Sequence, residues 1–158
     1  MSFTFIPSTS EQLAYELAII NSNPRYNLLS KGKERITESE LQAEHTEAAQ
    51  LGAERRLICL DGVPIGIVEW LPLYPLDGYP WLGLFMIDGR KHRSGYGALA
   101  LKALEEHLLL QLHIRELRLV VLVDNEPAHQ FWKKQQFRYV KPTVTHEGLD
   151  AIIYEKQL

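Results

Sequence analysis

Leu84-Phe-Met-Ile-Asp-Gly-Arg-Lys-His-Arg-Ser-Gly-Tyr-Gly-Ala98 is the stretch on which the architecture turns. It continues an apolar run, Trp81 to Ile87, that reads as a strand. Asp88 to Ser94 is polar and basic. Gly95 then opens a segment through about Gln111 that is apolar nearly all round, which predicts a helix packed on several sides. Strand, basic turn and glycine-opened helix together make an anion site. Gly95 and Gly97 have no Cβ, so a ligand can approach the backbone closely. The first N–H groups of a helix lack internal partners, and its dipole adds partial positive charge. A phosphate suits such a place, and Arg90, Lys91 and Arg93 add full charges beside it. The same residues also read as a plain loop with two turn glycines and a solvated basic patch.

Outward from this segment the pattern is that of one mixed α/β domain spanning residues 1–158. Upstream, Arg56 to Leu60, the Asp61-Gly62 turn and Val63 to Trp70 read as a hairpin. Ahead of it lie a strand over Ser2 to Ile6, a helix capped by Ser10 that runs through Asn21, and a helix opened by the Thr37/Glu40 capping box. Downstream, Leu117 to Val123 is a nearly continuous apolar run, as in a strand covered on both faces. Asn125 to Gln135 reads as a helix, and Phe137 to Thr145 and Ala151 to Glu155 as two last strands joined around Gly148. The expected order is β-α-α-β-β-β-α-β-α-β-β around a central mixed sheet.

Composition bounds the function. The chain has 158 residues, a net charge of −3, 46% hydrophobic and 23% charged residues, which is ordinary globular usage. No stretch is apolar for long enough to span a membrane. The single cysteine, Cys59, excludes a disulfide framework within the chain and points to a cytoplasmic setting. Mild acidity argues against a nucleic-acid partner. The histidines show no metal-ligand spacing, so no metal is expected.

Three phosphate-binding readings compete. A P-loop needs Gly-Lys-Ser/Thr after its glycines, and there is none. Gly95-x-Gly97-x-x-Ala100 fits a relaxed dinucleotide fingerprint, the mark of a nucleotide-binding oxidoreductase. That fingerprint should follow its strand at once, whereas Asp88 to Ser94 intervene. The third reading is a resemblance. The segment Leu84 to Ala98 resembles motif A, Q/R-x-x-G-x-G/A, of the GNAT acetyltransferases. Asn125-Glu-Pro-Ala-His-Gln-Phe-Trp-Lys-Lys-Gln-Gln-Phe137 resembles the family's N-x-x-A-x-x-F-Y-x-K-x-G-F motif. The two are separated, as in that family, by one helix and one strand, and the element order matches over the whole chain.

The resemblance implies an N-acetyltransferase that carries an acetyl group from acetyl-CoA directly to a primary amine in a ternary complex. Arg93, Ser94, Gly95, Tyr96, Gly97 and Ala98 would hold the pyrophosphate. Phe85, Met86 and Ile87 would lie beside the pantetheine arm, with the backbone of Phe85 and Ile87 bonding it. The strands of Ile87 and Val123 would splay to admit the arm. Asn125 would cap its helix, contact the arm, or both. His92 stands at the motif's Gln/Arg position. Trp132 stands where many members carry a tyrosine that protonates the thiolate, a task an indole N–H does not perform. Gln136 replaces a glycine at a helix end, and Trp81 falls where some members have a catalytic glutamate. The departures leave open a non-catalytic acyl-CoA-binding module.

An amine must be neutral to attack, so some group takes a proton. Glu69 is the first candidate for that base, with Asp77 and Tyr79 behind it. Alternation puts Glu69 opposite Val68 and Trp70, and an ordinary solvated glutamate is the competing reading. Tyr26, Trp70, Tyr74, Tyr79 and Trp81 are aromatic candidates for the acceptor pocket, each equally good as core. The acceptor is expected to be a small-molecule or peptide amine. Pairing of the family through edge strands or helices makes a homodimer an option.

Overall fold

Asp61 and Gly62 have φ of 49° and 82°, the two left-handed residues that a two-residue hairpin turn requires. In the computed structural model, which describes residues 1–158, that turn joins β2 (Glu54–Leu60) to β3 (Val63–Leu71). With β1 (Phe3–Pro7), β4 (Trp81–Ile87), β5 (Glu116–Leu122), β6 (Arg138–Val144) and β7 (Asp150–Gln157) they form a seven-stranded sheet, ordered β1-β2-β3-β4-β5-β7-β6. Only β4 and β5 run parallel, joined by helix α4 (Tyr96–Leu112). The antiparallel meander of β2 to β4 in front of the glycine turn is not the βαβ frame that a dinucleotide fingerprint serves.

Two bulges matter later. The pairs Ile58↔Gly66 and Cys59↔Pro64 leave Ile65 as an extra residue in β3. The pairs Glu69↔Leu84 and Trp70↔Leu82 leave Gly83 as an extra residue in β4. Each bulge switches the face to which later side chains point. So Ile65, Val68 and Trp70 enter one core layer, with Leu101, Leu104 and Leu108 of α4, while Ile67 and Met86 enter the other.

The second layer lies under three helices, one more than the sequence predicts. α1 (Leu13–Asn21) and α3 (Glu38–Leu51) match the two expected, and between them runs α2 (Pro24–Lys31). Asn23-Pro24 reads as a stop, but Pro24 sits in the first turn of α2, where its missing N–H costs nothing. The Thr37/Glu40 capping box forms as expected. Thr9, not Ser10, is the N-cap upstream: Ser10–Gln12 is a short 3-10 turn leading into α1.

Two further expectations need correction. α4 packs on one face, through Ala100, Leu101, Leu104 and Leu108, and leaves Leu99, Leu110 and Leu112 exposed. β5 is covered on one face by the core, through Leu117, Leu119 and Val121, but Val120 on the other face is open. α5 (Glu126–Lys134) starts at Asn125, whose side chain accepts from the Ala128 N–H. It ends in a full Schellman motif: Gln136 has φ 74°, its N–H reaches Lys133 O, and the Phe137 N–H reaches Trp132 O. No helix is long and apolar enough to cross a membrane.

Candidate active site

β4 and β5 pair only at Trp81↔Arg118 and then diverge. Beyond that point, β4 has no ladder partner on its β5 side, so backbone groups along that edge are available to a ligand lying as an added strand. The divergence opens a cavity of about 410 Å³. Its slot is lined by Leu82 to Met86 of β4, Leu119 to Leu122 of β5, and Asn125, Ala128 and Trp132. Its other end is lined by Tyr26, Asn27, Ser30, Lys31, Glu44, Arg55 and Glu69. A Cβ on Gly83 would stand 3.2 Å from Glu69 Oε2, so the glutamate lies over the bulged glycine.

The glycine turn sits where β4 gives way to α4. Arg93 (φ 64°) and Gly95 (φ 79°) are both left-handed, and Gly95 is the N-cap of α4. The first helical bond is made by the Leu99 N–H to Gly95 O. The N–H groups of Tyr96, Gly97 and Ala98 therefore have no acceptor within the helix. Ser94 is exposed, with its hydroxyl on Lys91 O. Of the three cations expected to charge this turn, Arg90 is committed elsewhere, to the Asp88 carboxylate at 2.6 Å. That guanidinium, with the Arg90 N–H, holds the Asp88 carboxyl below the usual carboxylate range. Of the three, only Arg90 takes part in a salt bridge.

His92 has a bond of its own, from its ring Nε2 to Ile87 O at 3.0 Å. Asn23 Nδ2 donates to the same carbonyl at 3.1 Å. With both lone pairs of Ile87 O engaged, only the N–H of Ile87 is left for a pantetheine arm, which narrows the role expected for that residue. Phe85 and Trp132 meet edge to face, with ring centroids 5.8 Å apart. Trp132 also packs on Phe137, and the indole is nearly buried. Phe85, Met86, Asn125 and Trp132 thus line one slot, and Asn125 is both a helix cap and a wall of it.

Glu69 projects away from Val68 and Trp70, as alternation predicts, with its side chain 21% exposed in the cavity. Its partner is one that sequence reasoning misses: Arg55 Nη1 donates to Glu69 Oε1 at 2.9 Å. Arg55 Nε in turn donates to Glu16 Oε2 at 3.2 Å. Nη2 lies 3.2 Å from the same oxygen, out of line for a hydrogen bond. Burial works to lower the Arg55 pKa, but the facing carboxylates of Glu16 and Glu69 outweigh it, and the net shift is upward. Glu16 is fully buried and also meets His45 Nε2 at 2.9 Å. One signal for it is present in the sequence: Glu16 falls on the apolar stripe of α1, between Leu13 and Ile20.

The weaker candidates fall elsewhere. Asp77 accepts from the Tyr79 N–H and from Trp81 Nε1, which ties its loop together away from the cavity. Tyr79 is covered by the Arg118 guanidinium, 3.6 Å from its ring centroid. Trp70 is core. Of the five aromatic acceptor candidates only Tyr26 lines the cavity, where burial, and then the Glu44 charge, push its hydroxyl pKa up. Cys59 is buried in the core, with its thiol pKa raised by burial.

A model of the acetyltransferase (GNAT) family matches residues 21–137. No curated protein matches the chain in sequence. Among solved structures, an acetyltransferase from Thermus thermophilus superposes with a TM-score of 0.82 at 23% identity, covering 100% of this chain and 98% of the other. An acetyl transferase of Salmonella typhimurium that modifies the N-terminal serine of ribosomal protein L7/L12 gives 0.81 at 14% identity, covering 100% and 96%. The spermidine N-acetyltransferase of Vibrio cholerae, in complex with CoA and spermine, gives 0.74 at 13% identity, covering 98% and 95%.

Proposed function

The chain belongs to the acetyltransferase (GNAT) family, and on that premise we propose that it moves an acetyl group from acetyl-CoA directly to a primary amine held at the Glu69 end of the cavity. The observation that carries this reading is continuity: one cavity runs from the slot between β4 and β5 to Glu69. A thioester in the slot and an amine beside Glu69 would meet there without a covalent enzyme intermediate.

The N–H groups of Tyr96, Gly97 and Ala98 would receive the pyrophosphate, with Lys91 and Arg93 adding charge. The open edge of β4 would bond the pantetheine arm and aim a backbone N–H near Phe85 at the thioester oxygen. Such a preorganised donor is worth about 3 kcal/mol of transition-state stabilisation. The amine nitrogen bonds the carbonyl carbon as the C–S bond breaks. Its proton passes to Glu69, directly or through one water, and the thiolate takes a proton from water, since Trp132 supplies none. The acceptor is a small-molecule or peptide amine, no metal takes part, and the setting is the cytoplasm, which suits a chain with one reduced, buried cysteine.

Calorimetric titration with acetyl-CoA, with NADH as control, tests the first half. Micromolar acetyl-CoA affinity and silence with NADH are expected; no acetyl-CoA binding would sink the reading. Glu69→Gln tests the second half. Its kcat should fall about 100-fold with acetyl-CoA affinity unchanged, as for loss of a general base. Wild-type turnover in that variant would remove Glu69 from the chemistry, and absence of turnover with every amine in a panel would favour the binding-module alternative.

A further inference from the structure

Glu16 is a carboxylate with no solvent exposure and no place in the cavity wall, and it occupies a site on the α1 stripe where an apolar residue would pack. A buried charge is costly unless it is fully paired. This one is paired with a group that matters: Arg55, whose side chain is only 6% exposed, bonds Glu16 on one side and Glu69 on the other. The single guanidinium is hydrogen-bonded to both a buried carboxylate and the one at the reaction site.

We propose that Glu16 is a positioning residue that sets the proton affinity of Glu69 through Arg55, an inference that rests on Glu69 being the base. The reason is electrostatic. Each carboxylate weakens the hold of Arg55 on the other. With Glu16 neutral, one carboxylate fewer opposes the guanidinium and more of its field favours the ionised form of Glu69. With Arg55 gone, two carboxylates face one another and each takes a proton more readily. In the arrangement as built, Arg55 orients Glu69 through the 2.9 Å bond from Nη1 while its Nε holds Glu16.

Other charged groups face this set from every packed element. Glu44 of α3 lies 3.8 Å from Arg55 Nη2 and is tied at 3.3 Å to Lys31 of α2. His45 of α3 bonds Glu16. Tyr26 of α2 and Glu147, between β6 and β7, line the cavity. None of these residues is altered in the variants below, and the opposite signs expected for the Glu16 and Arg55 variants read the Glu16–Arg55–Glu69 line.

The test is direct titration of the Glu69 carboxyl by carbon-13 NMR on the full chain, its resonance assigned by its loss in Glu69→Gln. In Glu16→Gln the midpoint should move down by about one pH unit, and in Arg55→Gln up by a similar amount. Glu16→Asp keeps the buried charge while drawing it away from Arg55, so it should shift the midpoint downward by less, and it guards against a Glu16→Gln chain that does not fold. A merely structural role would lower the melting temperature and leave the midpoints alone. Unmoved midpoints in folded Glu16→Asp and Arg55→Gln, or two shifts of the same sign, overturn the proposal. Glu69→Gln kinetics judge the base assignment separately, so failure of the link and failure of the base are told apart.

Discussion

The turn from Arg93 to Ala98 makes its row of N–H groups from consecutive residues, while the Glu69 end of the cavity joins Glu69 of β3 to Glu44 of α3, Arg55 of β2 and Gly83 of β4, with Glu16 of α1 behind Arg55. The first needs only local geometry: a left-handed Gly95 and the free first turn of a helix. The second exists only once five elements have packed. What differs is how each end fails. A local change can destroy the turn while the fold survives. The Glu69 end can be disturbed from residues outside the cavity wall, Glu16 among them.

Gly97→Val tests the turn in isolation and carries the largest expected effect. A Cβ at Gly97 would stand 3.3 Å from a Phe131 ring carbon and 3.8 Å from an Ile87 side-chain carbon, so the valine methyls would crowd the first turn of α4. Acetyl-CoA binding should vanish in calorimetry while the circular dichroism spectrum stays native; unchanged affinity would mean the pyrophosphate binds elsewhere. Gly89→Ala strikes the seam between the two ends. A Cβ there would lie 2.0 Å from Ser22 O, where the corner between α1 and α2 is stitched to the end of β4 by the Gly89 N–H and by Asn23. Neither backbone can yield cheaply, so thermal unfolding should show a loss of about 3 kcal/mol, with acetyl-CoA and amine affinities both weakened. If only one affinity suffers, the two ends are less coupled than this seam implies. Gln136→Gly is the smallest change and touches neither end. It should stabilise by about 1 kcal/mol by relieving a left-handed non-glycine residue, with kinetic constants unchanged.

The part of the site that is readable in advance follows the same divide. The glycine turn, the Asn125 cap and the face of Glu69 opposite Val68 and Trp70 follow from short-range pattern, while the splay of β4 from β5 is implied only by the resemblance of the two motif segments to the family. Arg55 is not readable. Running the register straight back from the Asp61-Gly62 turn sets Arg55 opposite Val68; the bulge at Ile65 moves it opposite Glu69 and brings both onto the face covered by α1 to α3. Likewise, α2 is hidden because Asn23-Pro24 terminates one helix and starts the next.

By itself the sequence determined the kind and order of nearly every element, both helix caps of the motif segments, the two-residue hairpin turn and the glycine-opened start of α4, because periodicity, capping and left-handed glycines act within a few residues of one another. Only the tertiary structure decided which faces the bulged strands present, that Ile87 O is spent on Asn23 and His92, and that Glu69 shares its arginine with a buried Glu16. A bulge changes which side chains meet by a single residue, and its position answers to the layers packed above and below it, which no local window of the chain contains.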